Sequence, residues 1–171
     1  QQPIQCQAGS TFLVKNLFFN VPARRAFLKS EAVEMRHIIE EFERVALVYP
    51  EIQFSLVHNG RTVFQLLKST QKQRIVQIMG NHLNPLIVPV EEQTDFIKIH
   101  GFTTKPEYSK KIRGEQYLFT NGRYVKIPYL QHAIESAYQG LIPQGSFPSY
   151  FIYIQIDPSN IDVNIHPTKT E

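Results

Sequence analysis

The 171-residue chain carries 18 Lys and Arg against 15 Asp and Glu, a formal charge of +3, with 42% apolar and 19% charged residues. That composition supports a globular core and excludes a disordered segment, and the length suits one domain or one domain with part of another. Apolar stretches such as Leu86 to Val90 and Tyr150 to Ile154 are too short to cross a bilayer, no charged-then-apolar leader is visible, and the single Cys6 excludes an internal disulfide and fits a reducing compartment. The chain opens on Gln1-Gln2-Pro3 without a Met and stops at Thr170-Glu171, which gives the expectation of a fragment.

Ser10 to Phe19 is rich in β-branched and aromatic residues and predicts a strand. Asn20-Val21-Pro22 predicts a helix start, with Asn20 as cap and Pro22 in a first turn that needs no donor. A short helix over Ala23 to Lys29 follows, then a second cap at Ser30 with Glu31 and Glu34 at the positive end of the next helix. Val33, Ile38, Phe42, Val45 and Val48 recur at spacings near three and four and predict an amphipathic helix ending before Pro50. Ile52 to Val57 and Thr62 to Leu67 read as strands joined through Asn59-Gly60, the strongest short hairpin signal. Gln71 to Met79 is a helix closed by Gly80. Leu86 to Val90 and Phe96 to Phe102 are strands, and Lys105 to Gly114 is a polar loop. Glu115 to Thr120 pairs across a second Asn-Gly turn, Asn121-Gly122, with Tyr124 to Ile127. Pro128 opens a helix through Gly140, and Tyr150 to Ile156 and Ile161 to Ile165 are strands around Asp157-Pro158-Ser159-Asn160. The order predicts an α/β (α+β) arrangement with a mixed sheet.

No phosphate loop, serine elbow or metal-ligand spacing is present, so the chain shows no complete active site of its own. Three constellations stand out. Arg24 and Arg25 sit at a helix N-terminus, where the dipole disfavours cations; pairing with Glu31 or Glu34 is the plainer account, and a functional role is the alternative. Lys105, Lys110, Lys111, Arg113, Arg123 and Lys126 form a basic run with Tyr108, Tyr117 and Tyr124 interleaved and only Glu107 and Glu115 opposing it. Such a run suits a phosphate backbone, a solvated loop flank being the competing account. In Asp162-Val163-Asn164-Ile165-His166-Pro167-Thr168-Lys169 the strand puts Asp162 and Asn164 on one face, and His166-Pro167 forces an extended exit that would hold Lys169 in place. A lysine so held could serve as a point charge for a phosphate, or be an ordinary exposed lysine.

Gly9-Ser10, Leu17 through Arg25, Ala46-Leu47, His58-Asn59-Gly60, Asn121-Gly122-Arg123, His132-Ala133, Ile156-Asp157-Pro158 and Asn164 through Lys169 together resemble, in order and over almost the whole chain, the MutL family of DNA mismatch-repair proteins. The resemblance implies a GHKL-class parent that binds ATP with Mg2+, hydrolyses it, binds mismatched DNA and relays mismatch recognition to repair. It implies that residues 1–48 end the ATPase module and residues 49–171 form the transducer, a mixed sheet with helices and a left-handed βαβ crossover as in gyrase B. Lys169 resembles the lysine that reaches the γ-phosphate and so serves catalysis and ATP binding in the parent. Arg123, with Lys110, Lys111, Arg113 and Lys126, would line the DNA groove. Asn20, Pro22, Arg24 and Arg25 would hold the junction, and Asn164 and His166 would shape the Lys169 loop.

The fragment alone would bind no cofactor and turn over no ATP, because the water-activating Glu, the magnesium-holding Asn, the Asp-x-Gly-x-Gly motif and the Gly-rich lid lie in the nucleotide-binding half, which this sequence does not contain. Implied partners are DNA, a mismatch-recognition protein and other repair proteins, and a second copy of the parent through that half; no membrane is implied, and the setting is the bacterial cytoplasm at the nucleoid. Ala26 stands where the family usually has Lys, Ser10 where Thr is common, and Thr120 where Val is frequent. The alternative is a non-catalytic interaction module, or the transducer of a topoisomerase or chaperone of the same superfamily.

Overall fold

The computed structural model describes residues 9–160. Contacts divide the chain between Ile39 and Glu40 into two compact units.

In the first unit, helix α1 spans Pro22–Ala26, with Pro22 in its first turn as expected. Two expectations fail here. The segment from Ser10 to Phe19 forms no strand. Phe12, Leu13 and Val14 are exposed, and β propensity without a neighbouring strand to bond leaves the backbone unpaired. The chain instead turns, with Asn16 and Phe18 at φ 51° and 61° and the Phe19 N–H donating to the Asn16 carbonyl at 2.9 Å. This turn moves the cap from Asn20 to Val21, which offers no side-chain acceptor. Helix α2 spans Glu31–Val48; its start is held by the Lys29 N–H, which donates to Glu34 Oε1 at 2.7 Å.

The second unit contains the rest of α2 and two sheets. Strands β1 (Phe54–His58) and β2 (Arg61–Leu66) form an antiparallel hairpin with an irregularity between Leu56 and Val57. Helix α3 spans Gln71–Met79 and begins with a full capping box, Thr70 Oγ1 accepting from the Gln73 N–H and Gln73 Oε1 from the Thr70 N–H. Then come β3 (Ile87–Gln93), β4 (Ile97–Thr104), β5 (Gln116–Thr120), β6 (Arg123–Tyr124), α4 (Pro128–Ala137) and β7 (Tyr150–Ile156). The second sheet is ordered β3-β4-β7-β5-β6, with β5 and β7 parallel and the other pairs antiparallel. It is the expected mixed sheet, and β5, α4 and β7 make its one parallel crossover among the described residues. The strand expected over Ile161 to Ile165 lies outside the described residues.

Both faces of β7 are buried from Tyr150 to Tyr153, which accounts for the apolar run Tyr150 to Ile154. Phe151 and Tyr153 join Tyr117, Phe119, Ile87, Ile75 and Leu47 on one face, under α2 and α3. Tyr150 and Ile152 join Leu118 and Val125 on the other, under Leu130 and Ile134 of α4. The rings of the first face lie flat in tiers: Tyr117 on Phe151 at 5.4 Å and Phe119 on Tyr153 at 4.9 Å between centroids.

The inward stripe of α2 differs from the expected one. Phe42, Glu43, Ala46 and Leu47 point inward, while Ile38 and Val45 are about half exposed. The offset arises because a carboxylate occupies the inward stripe: the Tyr117 hydroxyl donates to Glu43 Oε2 at 2.7 Å, so the position is polar in sequence and half-buried in the fold. Phe42 supports the first hairpin, stacking on Phe64 at 5.3 Å and meeting Phe54 edge-on at 6.1 Å.

Arg74 is fully buried with no carboxylate partner among the described residues. Its guanidinium donates to the carbonyls of Ala46 (3.0 Å), Pro50 (3.0 Å), Ile52 (2.7 Å) and Leu67 (3.1 Å). A cation suits this place, because the last carbonyls of α2 carry the negative end of its dipole. Burial lowers the Arg74 pKa, and Glu51 opposes that shift.

Candidate nucleic-acid interface

The β5–β6 hairpin is built from a buried root and an exposed tip. Tyr117, Leu118 and Phe119 are buried. At the tip, Asn121 and Gly122 take φ 47° and 76°, the paired positive values that a tight two-residue turn demands. Arg123 follows immediately, opposite Thr120, and its side chain is exposed. Tyr124 then turns back to the core, edge-on to Tyr117 at 6.2 Å and Phe119 at 6.0 Å, with the Arg44 guanidinium over its ring at 4.2 Å. Burial raises the pKa of Tyr117 and of Tyr124, and also that of Glu43, where the Tyr117 hydrogen bond opposes the shift; the root therefore holds a neutral phenol against a desolvated carboxyl.

The structure separates the expected basic residues. Lys110, Lys111 and Arg113 lie before the start of β5, Arg123 at its far end, and Lys126 between them on the outer edge, following the Val125 N–H that donates to the Leu118 carbonyl at 2.9 Å. Lys110 pairs with Glu115 and lies 5.1 Å from the Tyr108 ring centre, while its backbone exchanges hydrogen bonds with Phe147 at 2.9 and 2.7 Å. Burial works to lower its pKa, but the bond to Glu115 prevails and the net shift is upward. Glu115 also accepts from Ser149 Oγ at 2.6 Å. Arg113 makes a two-pronged pair with Glu135 on α4, its second nitrogen 3.0 Å from Oε2, and lies 4.0 Å from the Phe147 ring centre. Lys111, Arg123 and Lys126 are exposed and have no ion pair among the described residues.

The interleaved tyrosines are no base-stacking surface: Tyr117 is 6% exposed and Tyr108 and Tyr124 are half-buried. Tyr108 instead bonds to His82 Nε2 at 2.8 Å through its hydroxyl. Arg24 and Arg25 are exposed in α1, with no carboxylate partner among the described residues. Asn164, His166 and Lys169 lie outside the described residues. The brace that Asn121 makes to Ile156, the Glu43–Tyr117 bond and the Arg74 cluster were missed from sequence. Each depends on residues far apart in the chain, and only the oddity of an acidic residue on an apolar helix stripe could have signalled one of them.

A family profile described as "DNA mismatch repair protein, C-terminal domain" matches residues 75–171. The DNA mismatch repair protein MutL of Christiangramia forsetii is 56% identical over 163 residues, covering 95% of this chain and 26% of that protein. The MutL of Bacteroides fragilis is 50% identical over 171 residues, covering 100% of this chain and 27% of that protein. The chain thus spans about a quarter of the length of these curated relatives. Among solved structures, the Aquifex aeolicus MutL ATPase domain complexed with ADP superposes with a TM-score of 0.65 at 26% identity, covering 85% of this chain and 52% of that one. The N-terminal domain of a DNA repair protein gives a TM-score of 0.74 at 20% identity, covering 90% and 52%, a likeness of fold.

Proposed function

The chain belongs to the MutL family of DNA mismatch-repair proteins, and from that premise we propose that it is the region of a mismatch-repair ATPase that holds DNA through the β5–β6 hairpin and reports the state of bound ATP through Lys169. The observation that carries the DNA half is the setting of Arg123. It stands exposed at the tip of a turn whose root is fixed by buried rings, and it makes no ion pair among the described residues. Lys111 and Lys126 add unpaired charge, while Lys110 and Arg113 contribute less, because Glu115 and Glu135 already neutralise them. Binding of this kind reads the phosphate backbone and weakens as salt rises, by a slope of about 0.9 per phosphate contact in logarithmic terms.

In the parent, the nucleotide-binding half would hold ATP with Mg2+, and Lys169 would supply a cation for the terminal phosphate, so that its interaction would depend on whether that phosphate is present. A solved relative of this chain is described with ADP, which supports nucleotide binding by the parent. Asn164 and His166 hold that loop, and Asn20, Pro22, Arg24 and Arg25 hold the junction between the two modules, residues 1–48 and 49–171. The parent works as a homodimer on chromosomal DNA in the bacterial cytoplasm, with a mismatch-recognition protein and further repair proteins as partners.

The test is retention of duplex DNA by the full-length parent at low salt, with Arg123→Glu beside the unaltered protein; equal retention refutes the interface. Lys169→Ala is expected to lower ATP turnover, and unchanged turnover removes that assignment.

A further inference from the structure

The side chain of Asn121 does more than suit a turn. Its Nδ2 donates to the Ile156 carbonyl at 2.8 Å, and its Oδ1 accepts from the Ile156 N–H at 3.1 Å. Its backbone N–H donates to the Ile154 carbonyl at 2.9 Å. One amide group thus offers donor and acceptor to a single residue, as a strand neighbour would. It extends the parallel β5–β7 ladder past Thr120, where the strand itself ends. Ile156 is the last residue of β7. Directly after it, Asp157 Oδ1 accepts from the Ser159 N–H at 2.8 Å and from Ser159 Oγ at 2.7 Å, which fixes the first turn of the chain leaving the sheet. The turn itself does not require this brace. Asn59, in the other Asn-Gly turn, takes the same conformation, and among the described residues its side chain hydrogen-bonds to His58 alone.

We infer that Asn121 is a positioning residue that couples DNA held at Arg123 to the end of β7, from which the chain runs on to Lys169; the inference rests on the function proposed above. Both polar atoms of the Asn121 side chain are taken up by Ile156. Displacement of the hairpin tip by a bound phosphate backbone is shared with Ile156 through the paired bonds, so the two move as one element. Without those bonds the tip stays joined to β7 only as far as Ile154, Ile156 is released from it, and the biasing element between the sites is weakened. The quantity affected is the dependence of ATP turnover on DNA, not the turnover itself.

The experiment uses the full-length parent and measures ATP turnover with and without saturating duplex DNA, together with DNA retention at low salt. Asn121→Gly keeps the positive φ and removes both side-chain bonds; Asn121→Asp keeps the acceptor and removes the donor. Basal turnover and DNA retention are expected to stay close to those of the unaltered protein. The ratio of DNA-stimulated to basal turnover is expected to fall roughly fivefold in Asn121→Gly, the low end of typical coupling, and less in Asn121→Asp. An unchanged ratio in Asn121→Gly overturns the inference, as does a proportional fall in both rates, which would mark a merely structural role. An unaltered protein whose turnover ignores DNA overturns it too. Arg123→Glu separates the two readings: if it still retains DNA, the interface itself is wrong, whereas if it loses DNA while Asn121→Gly keeps the full ratio, only the coupling is wrong.

Discussion

Two hairpins in this chain carry the same tripeptide, Asn59-Gly60-Arg61 and Asn121-Gly122-Arg123, and they turn in the same way, with φ of 49° and 75° in the first and 47° and 76° in the second. Their surroundings differ. A Cβ added at Gly60 would meet nothing within 4 Å, whereas one at Gly122 would lie 3.5 Å from Val48 Cγ1. The first tip is open and its hairpin is held at the root, where Arg74 gathers the carbonyls of Pro50, Ile52 and Leu67. The second is held at the tip as well, by Asn121 against Ile156. Local sequence makes the turn in both; only packing against distant residues makes one of them a fixed platform.

Four experiments test that contrast. The largest effect belongs to the root of the first hairpin. Arg74→Met leaves buried carbonyls without donors and is expected to lower stability by about 3 kcal/mol, read from the urea midpoint. Little change would mean that the root does not depend on the guanidinium. Next comes the paired comparison Asn59→Ala and Asn121→Ala. Both place alanine in the left-handed region, so both cost roughly 1 kcal/mol. Asn121→Ala also loses two exposed hydrogen bonds worth about 0.5 kcal/mol each, so it should be the more damaging of the pair. Equal midpoints would erase the distinction between the tips.

Third, Arg123→Glu in the parent is expected to weaken DNA retention at low salt roughly tenfold, about 1.4 kcal/mol, while Arg61→Glu leaves it intact. Equivalent losses would show that any exposed hairpin cation serves, and that the position of Arg123 carries no special weight. The smallest effect concerns pH. Burial raises the Glu43 pKa above its ordinary 4.5, although the Tyr117 hydroxyl pulls it down. A carboxyl raised in the fold contributes fully below the ordinary value, and that contribution is lost as pH climbs through the raised one. Glu43→Gln retains an acceptor for Tyr117 and should flatten this acid-range slope by less than about 1 kcal/mol. The Arg74-held root of the first hairpin should show no such slope.

Much of the architecture was legible in the sequence because its determinants are local. Asn-Gly turns, the Gly80 stop after α3 and the unbroken apolar run of β7 each state their structure within a few residues. The failures come where a remote partner decides. Ser10 to Phe19 has strand residues but no strand to pair with among the described residues, and it turns instead. The inward face of α2 was displaced because Glu43 counts as polar until Tyr117 is brought to it. Arg74 reads as one more surface cation in a polar helix, since nothing beside it announces the backbone carbonyls it serves. At the interface, sequence grouped six basic residues by proximity in the chain; folding pairs two of them with Glu115 and Glu135, leaves Lys105 at the end of β4 and Lys111 before β5, and carries Arg123 and Lys126 to the far end and outer edge of β5.

The flat tiers of Tyr117, Phe119, Phe151 and Tyr153 have an optical consequence. The chain has no tryptophan, so its near-ultraviolet absorption and emission come from tyrosine and phenylalanine alone. Stacked rings fixed within a chiral core give circular dichroism in that region, whereas mobile rings give almost none. The sheet therefore carries its own gauge of core order, readable without a label and separable from the helical signal in the far ultraviolet. A single tryptophan placed elsewhere in the chain would report its own surroundings on a dark background.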